Sequence, residues 1–428
     1  MPDQSSSAKP LRFFVSAGEA SGDLHASGLI TRLREQAPQS QFTFLGGDLM
    51  AAAAGCAPLI HYRDMAYMGI AEVLRHLPEI ARNMRVAKEA IEKERPDALI
   101  LIDYPSFNLK LARHARKLGI PVYYYIAPKV WAWKEWRIKE MRRVCTKILS
   151  ILPFEEEYFR RHNLDVEYVG NPSVEEIESR RQNIPSRAEF TLRHGLDGNR
   201  PFLALVPGSR KGEIRGNLPY MVEAALRFPR YQPVISVAPG ITREFIRSLD
   251  IPHIGDIPLV ENTTFDLMAH SEAALVTSGT ATLECALLGT PQVVLYRSAG
   301  SKFLYGVMSH VLKCPHISLP NLIANGLFGV RYANEVVPEL LMHQVNTNNV
   351  ARHLEAILPG SPGREAQLEG YRRMRRQLEV GAASPEASPE ASSEASPEAS
   401  SEAAGNQAAG NQAAGNRAAA AILADLRR

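Results

Sequence analysis

AALVTSGTATLECALLGTPQVVLY, residues 273–296, divides into four pieces. An apolar run, Ala273–Thr277, leads into Ser278-Gly279-Thr280. A short helix-favouring segment follows, and Gly289-Thr290-Pro291 introduces a second apolar run. Strand, tight turn, helix and strand in that order form the repeating unit of a parallel α/β sheet. Ser278, Gly279 and Thr280 at the helix start leave backbone N–H groups and small hydroxyls free, which suits a phosphate. Glu284 stands one turn further in, where a carboxylate accepts two hydrogen bonds from a vicinal diol such as ribose. The segment reads equally as an ordinary capped helix with a solvated Glu284, and by itself it leaves both readings open.

The same alternation extends in both directions. Strand patterns fall at Leu11–Ser16, Phe42–Leu45, Ala98–Ile102, Val122–Ile126 and Lys147–Leu152. Helical patterns lie between and after them at Leu24–Glu35, Ile80–Lys93, Leu109–Leu118, Trp131–Val144 and Glu155–Arg161. Gly170-Asn171-Pro172 breaks the rhythm, and the charge-rich Glu175–Arg193 reads as a hinge. Strands resume at Phe202–Val206, Val234–Val237, Ala273–Thr277 and Gln292–Leu295. A chain of 428 residues exceeds one typical core. The pattern predicts an α/β protein of two Rossmann-like doubly wound domains facing a cleft, 1–170 and 171–380. Residues 381–417, with their SPEA and AAGNQ repeats, lack large apolar side chains and read as a disordered spacer. Residues 418–428 begin with AAAAILADL, a short helix with an apolar face, or else the end of a wholly disordered tail.

Composition narrows the function. With 45% hydrophobic and 22% charged residues the chain has a soluble globular make-up. A net charge of +3 gives no argument for nucleic acid. Cys56, Cys145, Cys285 and Cys314 form no CxxC pair, and the histidines lack ligand spacing, so no metal is expected. The polar start MPDQSSSAKP shows no secretory signal, and no apolar run approaches the ~20 residues of a spanning helix. Any membrane contact is expected to be peripheral.

In doubly wound sheets ligands bind beyond the carboxyl ends of strands, so the loops there come first. Gly18, Glu19, Ser21, Gly22 and Asp23 follow the first strand and are expected to face the cleft. They do not make the GxGxxG fingerprint, which counts against a dinucleotide. Asp103 ends the Ala98–Ile102 strand, where a carboxylate serves as general base toward a hydroxyl or merely caps the next helix. Ser209 and Arg210 follow Phe202–Val206, and a guanidinium grips phosphate bidentately. Paired with Ser278–Thr280, they point to a nucleotide diphosphate. Trp131 and Trp133 lie among cations, and Met68, Ile70, Val73 and Leu74 in an apolar segment. Both patterns fit an acyl or membrane contact, and both fit packing into a core.

Taken together, SAGEASGDLH, LIDYPSFN, PKVWAW, LVPGSR, SGTATLE and SLPNLIAN resemble the lipid A disaccharide synthase family. They occur in that family's order from Leu11 to about residue 380. The resemblance implies an inverting glycosyltransferase of the GT-B type. It would join UDP-2,3-diacylglucosamine to 2,3-diacylglucosamine 1-phosphate (lipid X), giving a β-1,6-linked disaccharide 1-phosphate and UDP. It implies no cofactor, and a peripheral place on the cytoplasmic face of the inner membrane of Gram-negative bacteria. Asp103 matches the family's base, Arg210 its essential arginine, and Asn321 the asparagine of SLPN. Ser278, Gly279, Thr280 and Glu284 match its UDP-contacting turn and helix. A homodimer built by exchange of C-terminal segments is a further implication. Two departures stand out: Ser106 replaces a second acid common in the family, and the 381–417 repeat has no family counterpart.

Overall fold

A computed structural model of the chain describes residues 10–65, 75–133, 135–297, 316–327, 335–379 and 414–427. Two sheets carry the architecture, and every strand pairing in them is parallel. The first contains β1 (Arg12–Ala17), β2 (Gln41–Gly46), β3 (Ile60–His61), β4 (Ala98–Ile102), β5 (Val122–Tyr125), β6 (Lys147–Ser150) and β7 (Glu167–Tyr168). Their order is β3-β2-β1-β4-β5-β6-β7. The second contains β8 (Phe202–Val206), β9 (Gln232–Val237), β10 (Leu259–Glu261), β11 (Ser271–Thr277), β12 (Gln292–Tyr296) and β13 (Glu339–Leu341). Its order, β10-β9-β8-β11-β12-β13, repeats the first six strands of the other sheet. Both are Rossmann-like.

The central strands explain this architecture. All five residues of β4 (ALILI) and of β8 (FLALV) are buried, as expected where helices cover both faces of a parallel sheet. The strand order also fixes where chemistry belongs. In each sheet the first strand has its successor on one side and a later strand on the other. This creates a switch point between β1 and β4, and another between β8 and β11.

The chain divides into two compact units, one running to Pro172 and including the C-terminal helix, the other spanning Ser173–Ala382. The unit boundary falls at the Gly170-Asn171-Pro172 break, and the segment Glu175–Arg193 after it is mostly helical. It belongs to two helices, Pro172–Arg181 and Arg187–His194, the second opened by a Ser186/Glu189 capping box. Trp131–Val144 is likewise not one helix but two, Val130–Trp133 and Arg137–Val144. At the C-terminus, Ala414–Leu426 is helical and packs on the helix Ala20–Gln36 of the first unit. Ala418, Ala419, Ile422 and Leu423 join the core that contains Leu29, Ile30 and Leu33. Asp425 accepts a hydrogen bond from the Tyr123 hydroxyl at 2.7 Å.

Candidate active site

In the first unit, β1 and β4 pair with Ala17 opposite Ile102, so the loops that follow them start side by side. Asp103 follows β4 directly. It and Tyr104 are consecutive non-glycine residues in the left-handed region, with φ of 43° and 47°. Such backbone costs about 1–2 kcal/mol per residue, so the surroundings must impose it. The Asp103 carbonyl accepts from the Tyr124 hydroxyl at 2.6 Å and from Asn108 Nδ2 at 2.8 Å. The helix Pro105–Lys117 begins immediately after this elbow, with Pro105 in its first turn.

The Asp103 side chain reaches solvent, yet enough protein surrounds it to push its carboxyl above the ordinary value. Lys129 and the Tyr104 N–H act in the opposite direction. A carboxyl raised in this way suits a general base. Beside it lies a second carboxyl that the sequence did not reveal. Glu155 is fully buried at the start of the helix Phe154–Arg161. It accepts from the Trp131 indole at 2.9 Å and from the Ser150 hydroxyl. Burial pushes it up to about 7, Ser150, Trp131 and Lys129 pull it down, and Asp103 adds to the rise.

Several expected contacts have other duties. Asp23 is buried, and its oxygens accept from the N–H groups of Gly47, Leu49 and Met50 at 2.7, 3.2 and 3.1 Å. It therefore anchors the start of the helix Asp48–Ala54 instead of facing a ligand. Gly22 is buried against Ala17, while Glu19 and Ser21 reach the surface. Trp131 is 8% exposed and stacks edge-on against Phe154, so it offers nothing to a lipid surface. Trp136, three residues from Trp133, is 65% exposed. Met68, Ile70, Val73, Leu74 and the Trp133 side chain lie outside the described residues. Ser106, at the departure from the family pattern, accepts from the buried Arg137 at 3.0 Å.

In the second unit β8 and β11 are neighbours, with Val206 opposite Val276. Ser209 and Arg210 therefore emerge beside Ser278, Gly279 and Thr280 at the carboxyl edge of the sheet. Gly208 adopts φ of 101°, which turns the chain sharply out of β8. Arg210 opens the helix Lys211–Ala225; its side chain is 67% exposed and pairs with Glu213 at 3.0 Å. An exposed pair of this kind is weak and exchanges readily for another anion. The helix Ala281–Leu288 follows the Ser278–Thr280 turn, and Glu284 lies in its first turn. Burial raises the Glu284 carboxyl, opposed by Arg180.

Ser278 Oγ donates to the Ile317 carbonyl at 3.0 Å, joining this turn to the SLPN loop. Asn321 is fully buried, and its amide is spent inside the protein. It donates to the Val337 carbonyl and Glu339 at 2.8 Å each, and accepts from the N–H groups of Val336 and Val337 at 2.7 and 3.0 Å. Glu339 also accepts from the Ile317 and Ser318 N–H groups at 3.0 and 2.9 Å. Asn321 thus shapes the loop behind Ser278 and has no polar atom left for a ligand. Glu339, 18 residues away on a short edge strand, carried no local sequence signal for this role.

Two Rossmann-like folds, each with its polar loops at the switch point, define the fold class as GT-B-like. The fold is similar to that of UDP-GlcNAc 2-epimerase from Neisseria meningitidis bound to UDP-GlcNAc, at 14% identity and a TM-score of 0.57 over 85% of this chain and 94% of that one. It is also similar to the glycosyltransferase of kitacinnamycin, at 14% identity and a TM-score of 0.52 over 87% and 95%. The lipid-A-disaccharide synthetase family model matches residues 13–388. Lipid-A-disaccharide synthase of Myxococcus xanthus is 42% identical over 88% of this chain and 96% of its own length. That of Solibacter usitatus is 36% identical over 87% and 94%. The chain belongs to the lipid-A-disaccharide synthetase family, whose members are UDP-sugar glycosyltransferases that form the lipid A disaccharide.

Proposed function

We propose that the protein condenses UDP-2,3-diacylglucosamine with 2,3-diacylglucosamine 1-phosphate, with Asp103 as base and the second unit as the donor site. Asp103 takes the proton of the acceptor's 6-hydroxyl as that oxygen attacks the donor's anomeric carbon from the face opposite UDP. The glycosidic C–O bond to UDP breaks in the same step, and the configuration inverts. Arg210 leaves Glu213 for the diphosphate and, with Ser209 and the Ser278–Thr280 turn, stabilises the charge that develops on it. Glu284 accepts from the ribose hydroxyls.

One observation carries this reading. Asp103 stands at the switch-point end of β4, on an imposed left-handed elbow, with its carboxyl raised by its surroundings. Two extensions accompany it. The first unit would meet the inner membrane surface peripherally, in line with the apolar Met68, Ile70, Val73 and Leu74 of its sequence. Among the described residues no helix is long and apolar enough to cross a membrane. A homodimer would form through Ala414–Leu426, whose apolar face can seat on a second copy of the first unit in place of its own.

The test incubates purified protein with both substrates and follows UDP release and disaccharide mass. Product is expected with lipid X and none with its 6-deoxy analogue. UDP release that continues undiminished with the 6-deoxy acceptor would refute the assignment.

A further inference from the structure

Buried polar side chains surround Asp103, and their hydrogen bonds converge on its main chain. Asn108 is fully buried. Its Nδ2 reaches the carbonyls of Asp103, Ile102 and Ser16 at 2.8, 3.1 and 3.3 Å, and its Oδ1 accepts from Ser16 Oγ at 2.7 Å. One amide thus ties the end of β1 to the end of β4 and to the elbow itself. Tyr124, on β5, donates to the same Asp103 carbonyl at 2.6 Å. It is fully buried, and burial holds its hydroxyl well above the usual phenol range, so it remains a donor at any working pH.

The elbow is also confined from the other side. A Cβ on Gly18 would stand 2.3 Å from Tyr104 Cγ, so the loop after β1 presses directly on the Tyr104 ring. The Tyr104 hydroxyl donates to the Met65 carbonyl at 2.8 Å, fixing the far end of that ring. The left-handed pair is therefore held by two donors at the Asp103 carbonyl and by a bare glycine against Tyr104. Release of any of these lets the Asp103 peptide rotate toward ordinary backbone values, which swings its Cα–Cβ bond.

We infer that Tyr124 and Asn108, with Gly18 as their counterpart across Tyr104, are positioning residues that aim the Asp103 carboxylate at the acceptor hydroxyl. This rests on the reading of Asp103 as base. Catalytic geometry is unforgiving, since a ~1 Å misplacement costs about 10²-fold in rate.

Tyr124→Phe removes the hydroxyl alone. The expected result is a kcat lower by roughly 10- to 100-fold, with KM for both substrates within about threefold and the melting temperature little changed. In an Asp103→Asn background the same change should have no further effect, because a positioning residue then has nothing to position. Gly18→Ala acts from the opposite side and should give the same split, which keeps the test open should Tyr124→Phe fold poorly. Unchanged kcat in both single variants, or an equal further loss in the Asp103→Asn background, overturns the inference alone. Full turnover of Asp103→Asn by itself overturns the base assignment, and the inference with it.

Discussion

Ile422→Ala probes a contact that joins the chain's two ends. Ile422 lies on the C-terminal helix, is fully buried, and packs in the core containing Leu29, Ile30 and Leu33 from the helix Ala20–Gln36. Removing a buried isoleucine to alanine costs about 2–5 kcal/mol, while the better helix propensity of alanine returns roughly 0.5 kcal/mol. The net expectation is about 3 kcal/mol. A unit of this size loses roughly 2–4 °C of melting temperature per kcal/mol, so the first unit should melt about 6–12 °C lower. Differential scanning calorimetry, with urea unfolding followed by circular dichroism, reads this directly. The control is Ala424→Ser on the exposed side of the same helix, expected to stay within about 0.5 kcal/mol. A shift under 1 °C for Ile422→Ala would mean that the helix does not dock in solution, and the account of the C-terminus would fail.

Two further outcomes follow from the site. Burial pushes Glu155 up to about 7, above the ordinary carboxylate value, so the folded state holds a proton there that the unfolded state has released. Stability should therefore fall as pH rises from about 4.5 to 7, by a few kcal/mol at most. Glu155→Gln keeps an acceptor for the Trp131 indole and should flatten that slope; a slope identical to wild type in chemical-denaturation curves would refute the assignment. Arg210→Ala should lower kcat/KM for the UDP-sugar by roughly 10²-fold, on the scale of losing one preorganised donor to a developing anion, and should leave the melting temperature within about 2 °C because the side chain is exposed. Unaltered donor kinetics would remove Arg210 from the diphosphate site.

The sequence made the fold legible where strands are buried on both faces. ALILI and FLALV read as Ala98–Ile102 and Phe202–Val206, and the strands occupy those residues. It failed at the edges, since β3 and β7 have two residues each and β10 and β13 three, too short for any periodicity. At Glu175–Arg193 the density of charge hid two helices, Pro172–Arg181 and Arg187–His194. The site divides in the same way. Asp103 and Ser278–Thr280 could be singled out because they follow strands directly, and Arg210 because it opens the helix after the β8 loop. Asp23 and Asn321 fell in the right motifs, but their side chains are consumed by backbone donors from segments distant in sequence. Tyr124 sits in a strand of three tyrosines, and only the folded pairing of β4 with β5 brings its hydroxyl to the Asp103 carbonyl.

The central claim is that one carboxylate at the end of β4 removes the acceptor's proton. Asp103→Asn preserves size and hydrogen-bonding shape while removing the base. Turnover measured by UDP release should fall about 10²- to 10⁴-fold, with UDP affinity by titration calorimetry unchanged. Turnover within a few-fold of wild type, at equal UDP affinity, would contradict the account.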